Sequence, residues 1–282
     1  MKKIIFFPII MIIIFEFFLL LRNSKFNTTI PDVIEIPKEV QEGIANVVPD
    51  KQFYVPILLY HYVEIVKDPG DTIRKSLDIF PSTFEAEIKT LKEAGYTFIT
   101  MKDLADVLDN KITLPKKPVI LTFDDGYRDF YTDVFPILKK YQVKAVAYIV
   151  TNFIDRPDNL TTRMLKEIVK SNLVEIGAHT ENHTWLAGNN LKRVESEIFG
   201  SKKYLEKLLG MEIGTFAYPY GAFDNQSIAV VKKAGFKTAV STVNGNLVMD
   251  TNRFYFYRTR PGGRVGKSLL ELIEKKTFPK QQ

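Results

Sequence analysis

Apolar residues follow two different patterns along this chain. From Ile4 to Leu21 they form one run, broken only by Pro8 and Glu16. At about 1.5 Å per residue the run spans roughly 27 Å as a helix, close to the thickness of a bilayer's hydrocarbon core. Lys2 and Lys3 precede it, which favours a cytoplasmic N-terminus, and Arg22 with Lys25 blurs that asymmetry. No small-residue cleavage site follows Leu21, where the chain continues Arg22-Asn23-Ser24-Lys25. Residues 1–22 therefore read as an uncleaved signal anchor, with a cleaved signal peptide and secretion as the alternative. Glu16 counts against a long-lived span unless it lies near the outer interface. Residues 23–52 are polar and punctuated by Pro31, Pro37 and Pro49, the composition of an extracytoplasmic stalk.

From Phe53 the pattern changes to short apolar runs rich in β-branched and aromatic residues. They recur at 55–60, 119–123, 145–150, 174–178, 214–217 and 237–241, with a weaker run at 96–100 and a late one at 254–258. Helical periodicity lies between most of them. Ser82-x-x-Glu85 reads as a capping box opening a helix that ends at Ala94-Gly95. Residues 134–141, 162–171 and 225–234 are further helices. The longest, 191–209, places Val194, Ile198, Leu205 and Leu208 along one face before Gly210. Strand–helix alternation implies right-handed crossovers and a parallel sheet. Seven or eight such units predict an α/β fold, a closed or nearly closed (β/α) barrel over residues 53–282, with an open doubly wound sheet as the alternative.

The scarce polar residues fall where the strands end. His61 follows the first run, Asp124 and Asp125 follow that at 119–123, and His179 follows that at 174–178. Tyr218-Pro219-Tyr220-Gly221 follows the run at 214–217. In barrels of this kind ligands bind at the carboxyl ends of the strands. Composition narrows the chemistry further. The chain has no Cys, which excludes disulfide scaffolds, thiolate metal sites and a cysteine nucleophile. Its only histidines are His61, His179 and His183. The net charge of +6 comes from 39 basic and 33 acidic residues that are interspersed, so no nucleic acid is expected as a partner. Protein partners are not legible.

Adjacent carboxylates at a buried strand end repel, so Asp124 and Asp125 call for a nearby cation or proton, although Asp125-Gly126 alone reads equally as a turn. His179-x-x-x-His183 lets two imidazoles share one ion on a helical turn. With one carboxylate they supply three protein ligands and leave positions open, the pattern of a catalytic metal. The same set also suits iron in an oxygenase. The second carboxylate, a base for a bound water, favours hydrolysis.

The string Thr122 to Tyr127, His179-Thr180-x-x-His183 and Phe216 to Gly221 together resemble the first three motifs of the polysaccharide deacetylases, the carbohydrate esterases with a NodB homology domain. The resemblance covers roughly residues 53–265 and implies a distorted (β/α) barrel that removes acetyl groups from sugars with a divalent metal, Zn2+ or else Co2+ or Ni2+. It gives Asp124 the role of catalytic base, Asp125, His179 and His183 those of metal ligands, and the Tyr220 backbone N–H that of oxyanion donor. Two departures stand out. Ala217 occupies the place of an Arg that braces the catalytic Asp, a charge that Arg258 or Arg260 would have to supply, with Arg258 the one favoured. No His follows His183, where the family has its general acid. His61, at the exit of the first strand, takes that place in the circularly permuted branch acting on poly-β-1,6-N-acetylglucosamine. Without the family context, a strand His satisfied by backbone is the simpler reading of His61. The expected partners are thus an acetylated polysaccharide and the membrane. Peptidoglycan, chitin oligomers and acetylated xylan are rival substrates, and a silent, tethered sugar-binding module is the rival of another class. Trp185 and Tyr62 are candidates to stack on sugar rings.

Overall fold

The computed structural model describes residues 52–68 and 70–277. The expected anchor and, apart from Gln52, the expected stalk lie outside the described residues. Among the described residues no helix is long and apolar enough to cross a membrane.

Eight strands build one sheet: β1 (Ile57–Tyr60), β2 (Thr97–Phe98), β3 (Pro118–Phe123), β4 (Ala145–Ile149), β5 (Val174–Ala178), β6 (Thr215–Ala217), β7 (Thr238–Asn244) and β8 (Phe256–Arg258). Their order is β8-β7-β6-β5-β4-β3-β1, and β2 pairs only with the first two residues of β3. All these pairings are parallel. Just past β8, the Thr259 N–H donates to the Ile57 carbonyl at 2.8 Å and the Leu59 N–H donates to the Thr259 carbonyl at 3.0 Å. These bonds bring the first and last strands side by side. The result is a nearly closed barrel, distorted by the two-residue β2, rather than an open doubly wound sheet. Two short pairs lie outside it: Phe53–Tyr54 with Leu247–Val248, and Tyr62–Val63 with Asp78–Ile79.

The helices are α1 (Thr72–Leu77), α2 (Pro81–Glu93), α3 (Met101–Leu108), α4 (Phe135–Tyr141), α5 (Thr162–Lys170), α6 (Leu191–Leu209), α7 (Asn225–Lys233) and α8 (Gly266–Glu274). The expected capping box at Ser82 is absent. Phe80 is the N-cap, with Pro81 in the first turn and no side-chain cap bond. Glu85 instead accepts from Lys140 Nζ at 2.8 Å and Tyr141 Oη at 2.6 Å, while Pro81, with its φ already fixed, starts the helix. The helix expected from Val134 is preceded by a π turn over Phe130–Val134.

Strand alternation sorts the core into two parts. Ile57, Ile120, Val146, Tyr148, Ala217, Val240 and Phe256 fill the barrel interior, and a larger cluster packs the outer faces of the strands against the helices. Along β3 the inner positions continue Ile120, Thr122 and then Asp124; along β8 they run Phe256 and then Arg258. The interior is thus apolar at the amino ends of the strands and polar at the carboxyl ends. Gly177 in β5 leaves room for Tyr148, whose ring lies 2.4 Å from where a Cβ would stand.

One ionisable pair lies on the outer face of the sheet, between β1 and α2. Glu87 on α2 is fully buried and accepts a hydrogen bond from the Tyr60 hydroxyl at 2.8 Å, while its Oε1 has no partner. Burial pushes its carboxyl up to about 8. Between the ordinary value near 4.3 and that raised one, the folded protein holds more protons than the unfolded chain, so stability falls as pH rises. Glu87→Gln, which keeps an acceptor for Tyr60, should remove a fall on the order of a few kcal/mol between pH 5 and 8. Thermal unfolding across that range checks it; parallel curves for the two proteins would contradict it.

Candidate active site

The turn after β3 redirects the chain abruptly. Asp125 and Gly126 both adopt left-handed conformations (φ 72° each), and the Gly126 N–H donates to the Asp124 carbonyl at 3.0 Å. Asp124 continues the inward parity of its strand, while the left-handed step brings Asp125 to the same pole of the barrel. After β5, His179 begins a second turn, in which Thr180 (φ 64°) and His183 (φ 57°) are also left-handed. The His179–His183 segment is therefore a compact loop and not the helical turn the spacing suggested. The loop is closed by the Thr184 N–H donating to Thr180 Oγ1 at 3.2 Å.

These two turns meet. The Nε2 atoms of His179 and His183 lie 3.3 and 3.2 Å from Asp125 Oδ1, and the three potential ligand atoms lie within 4.8 Å of one another. His179 Nδ1 is 2.7 Å from the Ala217 carbonyl. Donating its proton there leaves the Nε2 lone pair directed at Asp125, the arrangement of an imidazole held ready for a metal. Asp125 Oδ1 is buried without a conventional hydrogen-bond partner. Burial opposes charge on Asp125, yet His179, His183 and His61 outweigh it and hold the carboxyl far below the usual range. Burial likewise pushes His179 down, and Asp125 with Asp124 lifts it above its ordinary value. An orphaned carboxylate oxygen facing two imidazole nitrogens fits a divalent cation with mixed nitrogen and oxygen ligation.

Asp124 is gripped from β8. Arg258 Nη1 donates to Oδ1 at 2.8 Å and Nη2 to Oδ2 at 2.7 Å, a bidentate pair with both residues buried. The guanidinium is itself fixed by the Ser241 carbonyl at Nε (2.7 Å) and by Thr122 Oγ1 at Nη1 (3.1 Å). Burial would raise the Asp124 carboxyl, and Arg258, with His179 and His61, brings it below its ordinary value. The charge lacking at Ala217 thus enters from Arg258. Arg260 is exposed and its charge acts on His61 instead.

His61 stands at the same level as Asp124, because Tyr60 pairs with Phe123 and the Asp124 N–H donates to the Tyr60 carbonyl at 3.1 Å. Burial lowers its pKa against the pull of Asp125 and Asp124, which favours a neutral ring at rest. Tyr220 adopts φ 60° within Pro219–Gly221, a costly conformation for an aromatic residue. Its ring is 38% exposed, 4.5 Å from His183 and 5.8 Å from Trp185, itself 45% exposed. These two rings form an open aromatic rim. Tyr62 does not join them: it is buried, stacked 3.9 Å from Tyr127, with Arg74 4.6 Å from its ring centre. Sequence reasoning passed over the Ala217 carbonyl, whose position in the third motif drew attention only for the side chain it lacks.

A family model for polysaccharide deacetylases matches residues 111–239. The poly-β-1,6-N-acetyl-D-glucosamine N-deacetylase of Staphylococcus aureus is 32% identical over 197 residues, which is 65% of this chain and 68% of that protein. Among solved structures, the Streptococcus pyogenes deacetylase PplD in complex with acetate aligns with a TM-score of 0.73 at 30% identity, covering 79% of this chain and 99% of that one. A Bacillus cereus polysaccharide deacetylase aligns with a TM-score of 0.70 at 28% identity, over 79% of this chain and 69% of that one. Sequence, fold and the motif positions agree, and the chain belongs to the polysaccharide deacetylase family.

Proposed function

We propose that this protein is a metal-dependent N-deacetylase acting on an N-acetylglucosamine polymer at the cell surface, with poly-β-1,6-N-acetylglucosamine as the preferred substrate. The observation that carries the reaction is the meeting of Asp125, His179 and His183 beside an Asp124 clamped by Arg258. The polymer is argued from the Staphylococcus aureus relative and from the position of His61 on the first strand. The exposed Trp185–Tyr220 rim offers stacking surfaces suited to sugar rings. The cell-surface location rests on the N-terminal apolar run.

Asp125, His179 and His183 would hold the cation, zinc by the character of the donor set and with cobalt or nickel as substitutes. When bound, the ion supplies Lewis acidity toward water and the acetamide carbonyl. Asp124, kept ionised by Arg258, takes a proton from the attacking water. The Tyr220 N–H donates to the carbonyl oxygen as negative charge develops there. His61 passes a proton to the departing sugar amine. Since its surroundings favour the neutral ring, it takes that proton from solvent, and Asp124 returns the proton it removed from water to solvent as the products leave.

Acetate release should be measured with zinc on poly-β-1,6-N-acetylglucosamine, peptidoglycan, chitin oligomers and acetylated xylan. Fastest release from the first supports the proposal; faster release from another polymer reassigns the substrate. Binding to an oligosaccharide with no acetate released under zinc, cobalt or nickel would make the protein a silent binding module. His61→Ala should cost about a hundredfold or more on an N-acetyl sugar and far less on an activated acetate ester, because only the amine leaving group needs the acid. Equal losses on both would remove His61 from that role.

A further inference from the structure

The loop that carries His183 is held from behind by one carboxylate. Glu197 lies on α6, with 2% of its surface exposed. Its Oε2 accepts the backbone N–H groups of Glu181 and Asn182 at 3.0 and 2.9 Å. Its Oε1 accepts from Asn182 Nδ2 at 3.0 Å and from Thr184 Oγ1 at 2.7 Å, and Arg193 Nη2 stands 3.2 Å away. Both backbone donors lie between His179 and His183, and Thr184 follows directly. Side-chain and backbone bonds to a buried carboxylate are among the stronger ones available to a loop. The neighbouring turn of α6 carries Gly200, where a Cβ would stand 2.3 Å from the Glu181 carboxyl. A glycine inside a helix weakens it relative to Ala, and here it gives the loop room to lie against the helix.

We propose that Glu197 is a positioning residue that pre-forms the His179–His183 loop, so that both imidazoles already face Asp125 before a cation arrives. The inference rests on reading Asp125, His179 and His183 as metal ligands. Without Glu197, two backbone donors, the Asn182 amide and the Thr184 hydroxyl lose their shared acceptor. The left-handed turns at Thr180 and His183 are then supported by fewer contacts, and the cation has to order the loop as it binds.

The chain contains one tryptophan, Trp185, two residues beyond His183, so its emission reports on this loop. In the purified full-length chain, Zn2+ affinity would be measured by calorimetry and Trp185 anisotropy followed with and without Zn2+. Glu197→Ala should lower Zn2+ affinity by about 10–100-fold, the range for removing groups that orient metal ligands, here acting through the loop and not by direct contact with a ligand. It should also lower the anisotropy of the metal-free protein, with Zn2+ restoring most of it. Glu197→Gln keeps the volume and one acceptor oxygen and should fall between, which provides the measurement if Glu197→Ala does not fold. A purely structural Glu197 would lower the unfolding temperature and leave Zn2+ affinity and metal-free anisotropy unchanged; that result overturns the proposal. If the unaltered chain itself binds no Zn2+, the ligand assignment fails instead.

Discussion

Asp124→Asn should lower acetate release by about a thousandfold or more while the protein still binds zinc. The carboxamide cannot take a proton from water, and the residues that would hold the ion are Asp125, His179 and His183, all unaltered. The substitution also disturbs the clamp. A single carboxamide oxygen can accept from only one of the two Arg258 nitrogens that now reach Oδ1 and Oδ2 at 2.8 and 2.7 Å. The bonds from Arg258 to the Ser241 carbonyl and Thr122 Oγ1 remain to hold the guanidinium. Some loss of stability is therefore expected, and the variant should be assayed well below its unfolding temperature. Metal analysis of the purified variant is the decisive companion measurement, because loss of zinc would mean that the two neighbouring carboxylates have exchanged roles.

Arg258→Met should damage both stability and turnover. Removing one member of a buried ion pair leaves the other desolvated, at a cost of about 3–5 kcal/mol. For a domain of this size that corresponds to a fall of roughly 10 °C in unfolding temperature. Asp124 relieves part of the strain by taking up a proton, and a protonated carboxyl cannot serve as base. Lysine should rescue little, since a single ammonium cannot reproduce two parallel bonds to Asp124 together with the bond to Ser241. Calorimetric unfolding and acetate release test the two effects separately. An unfolding temperature within about 2 °C of the parent would show that the site collapses around the missing side chain.

Much of the fold follows from alternation that is visible in the chain. The run at 174–178 is a strand with the expected bounds, and 191–209 is the expected helix, ended by a left-handed Gly210. Long periodic segments carry their own signal because burial of one face decides them. The helices at 72–77, 101–108 and 266–274 were not predicted. The first has no buried residue and is only six residues long. The second is eight residues long, short for a periodicity signal, although Met101, Leu104 and Ala105 share its buried face and a capping box between Thr100 and Asp103 opens it. The third has only Leu269 and Ile273 buried, packed beyond the last strand. At the site, strand exits pointed to Asp124, His61 and His179 because the carboxyl ends of parallel strands converge. The conformation of the His179–His183 loop was not legible, since left-handed backbone runs against the preference of the β-branched Thr180 and the i, i+4 spacing of the two histidines suggests a helical turn. Arg258 and Arg260 share one strand parity, so excluding Arg260 required the strand's end: Arg258 is the last residue of β8 and buried opposite Asp124, whereas Arg260 lies beyond it and is exposed. Glu197 left one readable trace, a charge three residues from Val194 and one from Ile198 on the buried side of α6.

Nine non-glycine residues among those described stand at positive φ, and Asp125, Thr180, His183 and Tyr220 are four of them. Each costs about 1 kcal/mol relative to a conformation its side chain prefers. A screen for heat-resistant variants would be drawn to glycine at the partly exposed Tyr220, where the backbone would relax, but not at Thr180, which is buried and whose hydroxyl closes its loop. Such a search would harvest durability from the turn that presents the proposed oxyanion donor, and its hardiest survivors should be slow catalysts.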